Sequence, residues 1–302
     1  MLQTDSASFQ PKVTVVIPIL NEARNLPYVL SKLLTGLHEV IVVDGHSVDD
    51  TLATARRLRP DVRIIMQNRC GKGNALACGF AAATGDIIAM VDADGSADPS
   101  EVPQFVDALL DVADFAKGTR LAQGSGSTDI TRLRRLGSRF FSTFFNMCYG
   151  AHYADLCYGF WRSHIPVLDL DVTSLSPEGS DGRLWGDGFE IETLIHIRIA
   201  EAGLIVTEVP SFEHARIHGA SNLSAFGDSI RILRIILTNS RLSRKRKSAF
   251  EDIAEAAPFR RSAVTYPFTA ASTAVTADRV KADSRPKWAS SEIHATPGVE
   301  HV

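Results

Sequence analysis

Residues Asp86 to Glu101 read DIIAMVDADGSADPSE, an apolar run that ends in three acids, Asp92, Asp94 and Asp98. The run predicts a strand buried on both faces. Carboxylates gathered at the tip of such a strand repel one another and need a counter-charge. A hard divalent cation, Mg2+ or Mn2+, is the best candidate, because it binds oxygen and shares its shell with substrate phosphates. Asp92 and Asp94 are the expected ligands, if the strand ends or turns so that both address one ion. The competing reading is that the acids merely end the strand. Asp98 fits that second role: with Pro99 and Glu101 it predicts the N-cap, first-turn proline and capping-box acid of the next helix.

Upstream, strand and helix patterns alternate. VTVVIPIL (Val13 to Leu20) is a continuous β-branched run, expected to be a buried strand. NEARNLPYVLSKLLTGL follows with apolar residues at helical spacing, Leu26, Val29, Leu30, Leu33 and Leu34. HEVIVVDGHS is a second strand ending at Asp44, DDTLATARRLRP a helix stopped before Pro60, and VRIIMQ a third strand. GNALACGFAAATG predicts an Ala-rich helix closed by Gly85, and FAKGTR a short strand after the acids. This alternation implies right-handed crossovers and an α/β fold with a Rossmann-like, mostly parallel central sheet flanked by helices. Ligands in such folds sit at the carboxyl ends of strands. The polar residues collect there: Asn21 and Glu22, then Asp44, then Asp92 and Asp94.

The bulk properties narrow the options. The 302 residues are 45% hydrophobic and 22% charged with net charge -3, so no basic domain points to nucleic acid. The four cysteines lack metal-ligand spacing and predict free thiols in a reducing compartment. No signal-peptide pattern opens the chain, and no apolar run reaches the ~20 residues of a spanning helix. A cytoplasmic protein is expected, at most peripheral on the inner face of a membrane. After Ser248 the chain is rich in Ala, Ser, Thr and Pro without periodicity, which predicts a disordered tail over 248–302. Residues 1–11 are expected to be flexible.

RCGKGNA (Arg69 to Ala75) offers backbone amides at a helix start plus Lys72, which suits an anion or a plain tight turn equally. It lacks the P-loop spacing. In TDITRLRRLGSRFFSTFFNMCYG, Leu133, Leu136, Phe140 and Phe144 form one helical stripe, while Arg134 and Ser138 share another face. LWGDGFEIETLIHIRIAEAGL reads as a helix entered near Gly188 and closed by Gly203, with Asp187, Glu190 and Glu192 at its start. Asp187 is a helix cap or a base. FGDSIRILRIILTNSRLSRKRKS is basic and amphipathic, suited to an anionic membrane surface or to docking on the domain.

Five blocks, VVIPILNEARNL, VIVVDGHSVDDT, GKGNALACGFAAATGD, VDADGSADP and KGTR, stand in the order and spacing of family 2 inverting glycosyltransferases. The resemblance is to the dolichol-phosphate mannosyltransferase and polyprenol-phosphate glycosyltransferase branch. It is strong from Lys12 to Arg120 and weaker to about Asp228. It implies a GT-A domain over 12–247, with a nucleotide-sugar half to 120 and an acceptor half from 121. It also implies a GDP- or UDP-linked sugar donor and a metal on Asp92 and Asp94, with Ser96 as a further ligand. By position, Pro18, Asn21 and Glu22 would border the nucleotide, Asp44 its base or ribose, and Lys72 the donor. Arg134 and Ser138, with Arg120, would seat the phosphate of a polyprenyl phosphate acceptor. Arg216 would lie on a loop that closes over the diphosphate, and Asp187 would be the base for a hydroxyl acceptor. Asp155 and Gly159-Phe160 match a further family block. His46 replaces a residue that is usually small in the family, which leaves the nucleotide open.

Three rivals remain beside this reading. The first keeps the donor chemistry with a soluble hydroxyl or other small acceptor. The second is a non-catalytic nucleotide-sugar-binding protein, against which the retained acids and arginines argue. The third, a sugar nucleotidyltransferase or dinucleotide oxidoreductase, lacks its glycine-rich loop after the first strand.

Overall fold

The structure, a computed structural model, describes residues 11–111, 113–128, 130–156, 158, 161–163, 186–219 and 229–240. The expected flexible start over 1–10, Gly159-Phe160, the basic run Arg244 to Lys247 and the tail over 248–302 lie outside the described residues.

Strands β1 (Val13–Ile19), β2 (Glu39–Asp44), β3 (Arg63–Met66) and β4 (Ile87–Met90) alternate with helices α1 (Leu26–Lys32), α2 (Thr51–Leu58) and α3 (Lys72–Ala82). After β4 come a short 3-10 turn (Pro99–Glu101), α4 (Val102–Asp111) and β5 (Phe115–Thr119). Then follow β6 (Gly126–Ser127), α5 (Arg132–Tyr149), β7 (Trp161–Ser163), α6 (Ile191–Ala202), β8 (Val206–Pro210) and β9 (Phe212–Glu213). Residues 229–240 form a further helix. The main sheet runs β3-β2-β1-β4-β7-β5-β8, parallel except where β7 lies antiparallel between β4 and β5. Strands β6 and β9 make a small second, parallel pair.

Period-two alternation puts each central strand into two cores. Val15, Ile17 and Ala89 face one layer, against Leu26 and Val29 of α1 and Phe105 and Val106 of α4. Val16, Ile41, Val43 and Met90 face the other, against Leu76 and Phe80 of α3 and Ile195 and Ile199 of α6. A third cluster joins Phe145 of α5, Leu194 and Ile197 of α6, and Ile235 and Ile236. The mostly parallel, helix-flanked α/β sheet is therefore as the sequence predicts. Pro18 is tolerated in central β1 because β4 pairs with it only as far as Val16.

Several local expectations are corrected. α3 ends at Ala82, before Gly85, because the Thr84 backbone N–H and hydroxyl bind Glu39 at 2.6 and 2.8 Å and draw the chain off the helix. Asp98 does cap the turn, accepting from the Ser100 N–H at 2.9 Å. Glu101 does not complete a capping box: it accepts from the Ser211 hydroxyl at 2.5 Å and the Phe212 N–H at 3.3 Å. The α5 stripe through Leu133, Leu136 and Phe140 faces outward; Ser138, Ser142 and Phe145 are the buried residues of that helix.

Candidate functional site

The strand tips converge. β2 ends on Asp44, whose buried carboxylate accepts from the Ser47 N–H at 3.0 and 3.3 Å. The loops after β1 and β2 are latched together: Asn21 N–H donates to the Ser47 hydroxyl at 2.9 Å, and the Val48 N–H to the Asn21 side-chain oxygen at 2.9 Å. Asn21 (φ 56) and His46 (φ 68) are the non-glycine residues described with left-handed backbone, and both lie in these loops. Asn tolerates that region; for His46 it stores strain of the kind that clusters at ligand sites.

Beyond β4 the chain carries Asp92 and Asp94 past the end of the ladder, and both are partly exposed. Their counter-charges are side chains. Lys72, the first residue of α3, places Nζ 2.8 Å from Asp92 Oδ1 and 2.7 Å from Glu192 Oε1 on α6. Arg216 places Nη1 3.8 Å from Asp94 Oδ2 and pairs through Nη2 with Glu22. Burial pushes the Asp92 carboxyl up to about 6, with Asp94 and Glu192 adding to the rise and Lys72 opposing it. Lys72 is held protonated: its two carboxylate partners outweigh the burial that would lower it. The Ser96 N–H donates to Asp94 Oδ1 at 2.9 Å. The segment bearing Arg216 lies over these acids, with the Ile217 N–H on the Asp94 carbonyl at 3.2 Å and the His214 N–H on that of Ser96 at 2.8 Å.

The start of α3 is fixed by a close approach. The Gly73 N–H donates to the Asp187 carbonyl at 2.7 Å, and a Cβ at Gly73 would stand 1.8 Å from the Gly186 carbonyl oxygen. Arg69 locks the same turn through a buried fork, Nε to Asp187 Oδ2 at 2.9 Å and Nη2 to Oδ1 at 2.8 Å. Asp187 thus positions the Lys72 turn. It is not the cap of α6; that position belongs to Glu190.

Two of the three residues expected at the acceptor, Arg120 and Ser138, converge on Asp155. Arg120 forks onto it, Nε to Oδ2 at 2.7 Å and Nη2 to Oδ1 at 2.9 Å, and sends Nη1 to Glu213 at 2.9 Å. The buried Ser138 hydroxyl donates to Asp155 Oδ1 at 2.8 Å. Burial alone would raise Asp155, yet Arg120, Lys117 and Ser138 bring it well below the usual carboxylate range. Lys117, fully buried in β5, spends its ammonium on the carbonyls of Gly118 (3.2 Å), Tyr158 (2.8 Å) and Asp155. Arg134 sits one turn before Ser138 on the exposed face.

Sequence reading missed the partners, and it did not single out Arg69, Lys117 or Glu213 at all. Glu192 for Lys72, Asp187 for Arg69 and Glu213 for Arg120 lie 120, 118 and 93 positions away. Local patterning carries no signal over such separations. The one local hint is a charge inside an apolar strand, as at Lys117.

The mostly parallel sheet flanked by helices is the GT-A fold of glycosyltransferases, shared with the solved structures below. A sequence model described as glycosyl transferase family 2 matches residues 14–164, and the chain belongs to that family. An uncharacterised glycosyltransferase of Mycobacterium tuberculosis is 42% identical over 108 residues, 36% of this chain and 48% of that protein. The chain thus spans about half the length of that relative. The dolichol-phosphate mannosyltransferase of Pyrococcus furiosus is 33% identical over 135 residues, 42% of this chain and 38% of that protein. Among solved structures, glucosyl-3-phosphoglycerate synthase of M. tuberculosis with Mn2+, UDP and phosphoglyceric acid superposes with a TM-score of 0.58 at 24% identity, covering 76% of this chain and 78% of that one.

Proposed function

We propose that this chain is a metal-dependent inverting glycosyltransferase that moves a sugar from a UDP- or GDP-linked donor to a polyprenyl phosphate. The observation that carries the reading is the pair Asp92 and Asp94 at the strand end, each facing a side-chain cation. Among the described residues no three His, Cys, Asp or Glu side chains cluster to hold an ion alone. Two carboxylates do suit Mg2+ or Mn2+ bound jointly with a diphosphate. When bound, such an ion supplies Lewis-acid stabilisation of the leaving diphosphate.

The chain's own groups do the rest. Asp92 and Asp94, with Ser96 beside them, would hold the metal–diphosphate unit. Lys72 and Arg216, held by Glu192 and Glu22, would offer their charge to the diphosphate oxygens beside Asp92 and Asp94. Pro18, Asn21, Glu22 and Asp44 border the nucleotide. Arg134 seats the acceptor phosphate, while Arg120 and Ser138, committed to Asp155, fix the strand end and helix beside it. An acceptor phosphate is already ionised near neutral pH and needs no base. That fits Asp187, whose oxygens are committed to Arg69. The name of the Pyrococcus relative supports the acceptor class, and the Mn2+ and UDP in the solved neighbour support the metal and donor.

The test is incubation of labelled UDP- and GDP-sugars with polyprenyl phosphate and Mn2+, followed by organic extraction. Label in the organic phase is expected. Label confined to water-soluble products would move the acceptor to a soluble compound.

A further inference from the structure

His196, in the middle of α6, is fully buried, and among the described residues nothing bonds either of its ring nitrogens. Buried polar groups are ordinarily partnered, so two orphaned nitrogens on one ring need a reason. Aromatic rings wall it in. Phe115 of β5 meets it edge-on, with centroids 5.7 Å apart and planes at 85°. Tyr153, in the segment after α5, lies tilted over it at 4.9 Å and is itself met edge-on by Phe145 of α5 at 5.4 Å. The Tyr153 hydroxyl is buried and unpartnered too. Three orphaned polar atoms thus occupy the joint where β5, α6 and the segment after α5 pack together.

The charges around that joint are already matched without the imidazole. β5 brings Lys117, fully buried, its ammonium on the carbonyls of Gly118 at 3.2 Å, Tyr158 at 2.8 Å and Asp155. The segment after α5 brings Asp155, whose carboxylate takes Arg120 and Ser138. It also brings Tyr153, whose hydroxyl keeps its proton because burial, with Glu208 adding, raises it. Glu208 on β8 accepts from the Ala154 and Asp155 N–H groups at 3.0 and 3.2 Å. On α6 itself Glu192, one turn before His196, is engaged by Lys72 at 2.7 Å. An imidazolium carries two N–H donors and a charge, and in this packing it would meet neither a placed acceptor nor an uncommitted carboxylate. Burial, with Lys117 adding and Asp155 opposing, holds His196 well below the ordinary histidine value.

We propose that His196 is an acid-triggered release: α6 stays packed on β5 only while this imidazole is neutral, and protonation drives the helix off the sheet, taking Glu192 away from Lys72. Once α6 opens, His196 takes up its proton at the ordinary value of about 6.5; while packed it does not. The stability that the neutral ring allows is therefore complete above that pH and lost below it, by about tenfold in the folding constant per pH unit. Only the consequence for Lys72 rests on the proposed sugar transfer; the release itself does not.

The test is urea unfolding of the full chain and of His196→Leu from about pH 8 to about pH 5, above the range in which Asp155 takes up its proton. Leucine nearly matches the volume and has nothing to protonate. Above about pH 7 the ratio of the two folding constants should be level; below about 6.5 it should move toward the variant by about tenfold per pH unit. The remaining histidines are common to both chains and cancel in the ratio. Exchange of the α6 amides at about pH 5 should be faster in the unmodified chain than in the variant. A ratio that does not change with pH, or equal α6 exchange in the two chains, would overturn the proposal. Should His196→Leu not fold, histidine-labelled NMR of the unmodified chain decides, with His196 assigned through the Phe115 and Tyr153 rings. Its signals should hold their neutral positions down to about pH 5 while exposed histidines move near 6.5, and a His196 that titrates with them in the folded chain would overturn the proposal.

Discussion

Lys72 and Asp92 neutralise each other while Glu192 holds the same ammonium, and this sharing determines how the site responds to pH. Metal must displace the Lys72 ammonium from Asp92 and, below about pH 6, a proton as well. With that carboxyl pushed up to about 6, Mn2+ affinity should be level above that pH and fall below it, as a titration read by the free-ion EPR signal would show. An affinity unchanged down to pH 5 would place the metal elsewhere. Arg134 belongs to the same scale. Hydrogen bonds to charged groups contribute about 1.5–3 kcal/mol, so Arg134→Ala should weaken use of polyprenyl phosphate by roughly ten- to a hundredfold. Donor KM should barely move, because the residues proposed for the donor lie at the strand tips; steady-state kinetics with both substrates varied decides it. That Lys72, Asp92 and Asp94 are charged residues near the strand tips was readable from the sequence. The pairings were not, because Arg69–Asp187 and Arg120–Asp155 join segments 118 and 35 positions apart.

The elements were legible where burial alone dictates the pattern. β1 and β2 follow their β-branched runs, and α6 ends at Gly203 with left-handed backbone as its sequence predicts. Where tertiary bonds compete, reading failed: Glu39 ends α3 early, and Ser211 takes Glu101 out of its capping box. The stripe on α5 has core periodicity and still faces outward, because periodicity tells which residues share a face but not which face is inside. Two glycines separate packing from propensity. Gly73→Ala sets a Cβ against the Gly186 carbonyl, so α3 must shift; urea unfolding should show a loss of about 1–3 kcal/mol. Gly137→Ala, in the middle of α5 with no atom within 4 Å of the added Cβ, should instead stabilise by about 0.5–1 kcal/mol. Equal effects at the two positions would contradict the packing at the Lys72 turn.

Across the whole molecule, Asp155 ties β5, α5 and the segment after α5 through Arg120, Ser138 and the carbonyl that receives Lys117. Its folded pKa lies below the ordinary value, so the unfolded chain binds its proton first as acid is added. The stability it contributes is therefore present above about pH 4 and lost as the pH falls from there toward its depressed folded value. Melting curves from pH 7 down to pH 3 should fall along that course, and Asp155→Asn should lower the neutral-pH melting temperature while flattening the slope. The architecture as a whole was the most legible level, since strand–helix alternation leaves few topologies; the antiparallel insertion of β7 between β4 and β5 was not, because a strand of three residues carries no pattern of its own. The proposed role of Asp92 and Asp94 is to hold a metal–diphosphate unit for sugar transfer. It is tested most directly by nucleoside diphosphate release from labelled nucleotide sugar, with and without chelator, in the unmodified chain and in Asp94→Ala. Release should depend on Mn2+ or Mg2+ and fall at least about a hundredfold in Asp94→Ala at an unchanged melting temperature. Release that persists undiminished in chelator, or in Asp94→Ala, would contradict the account.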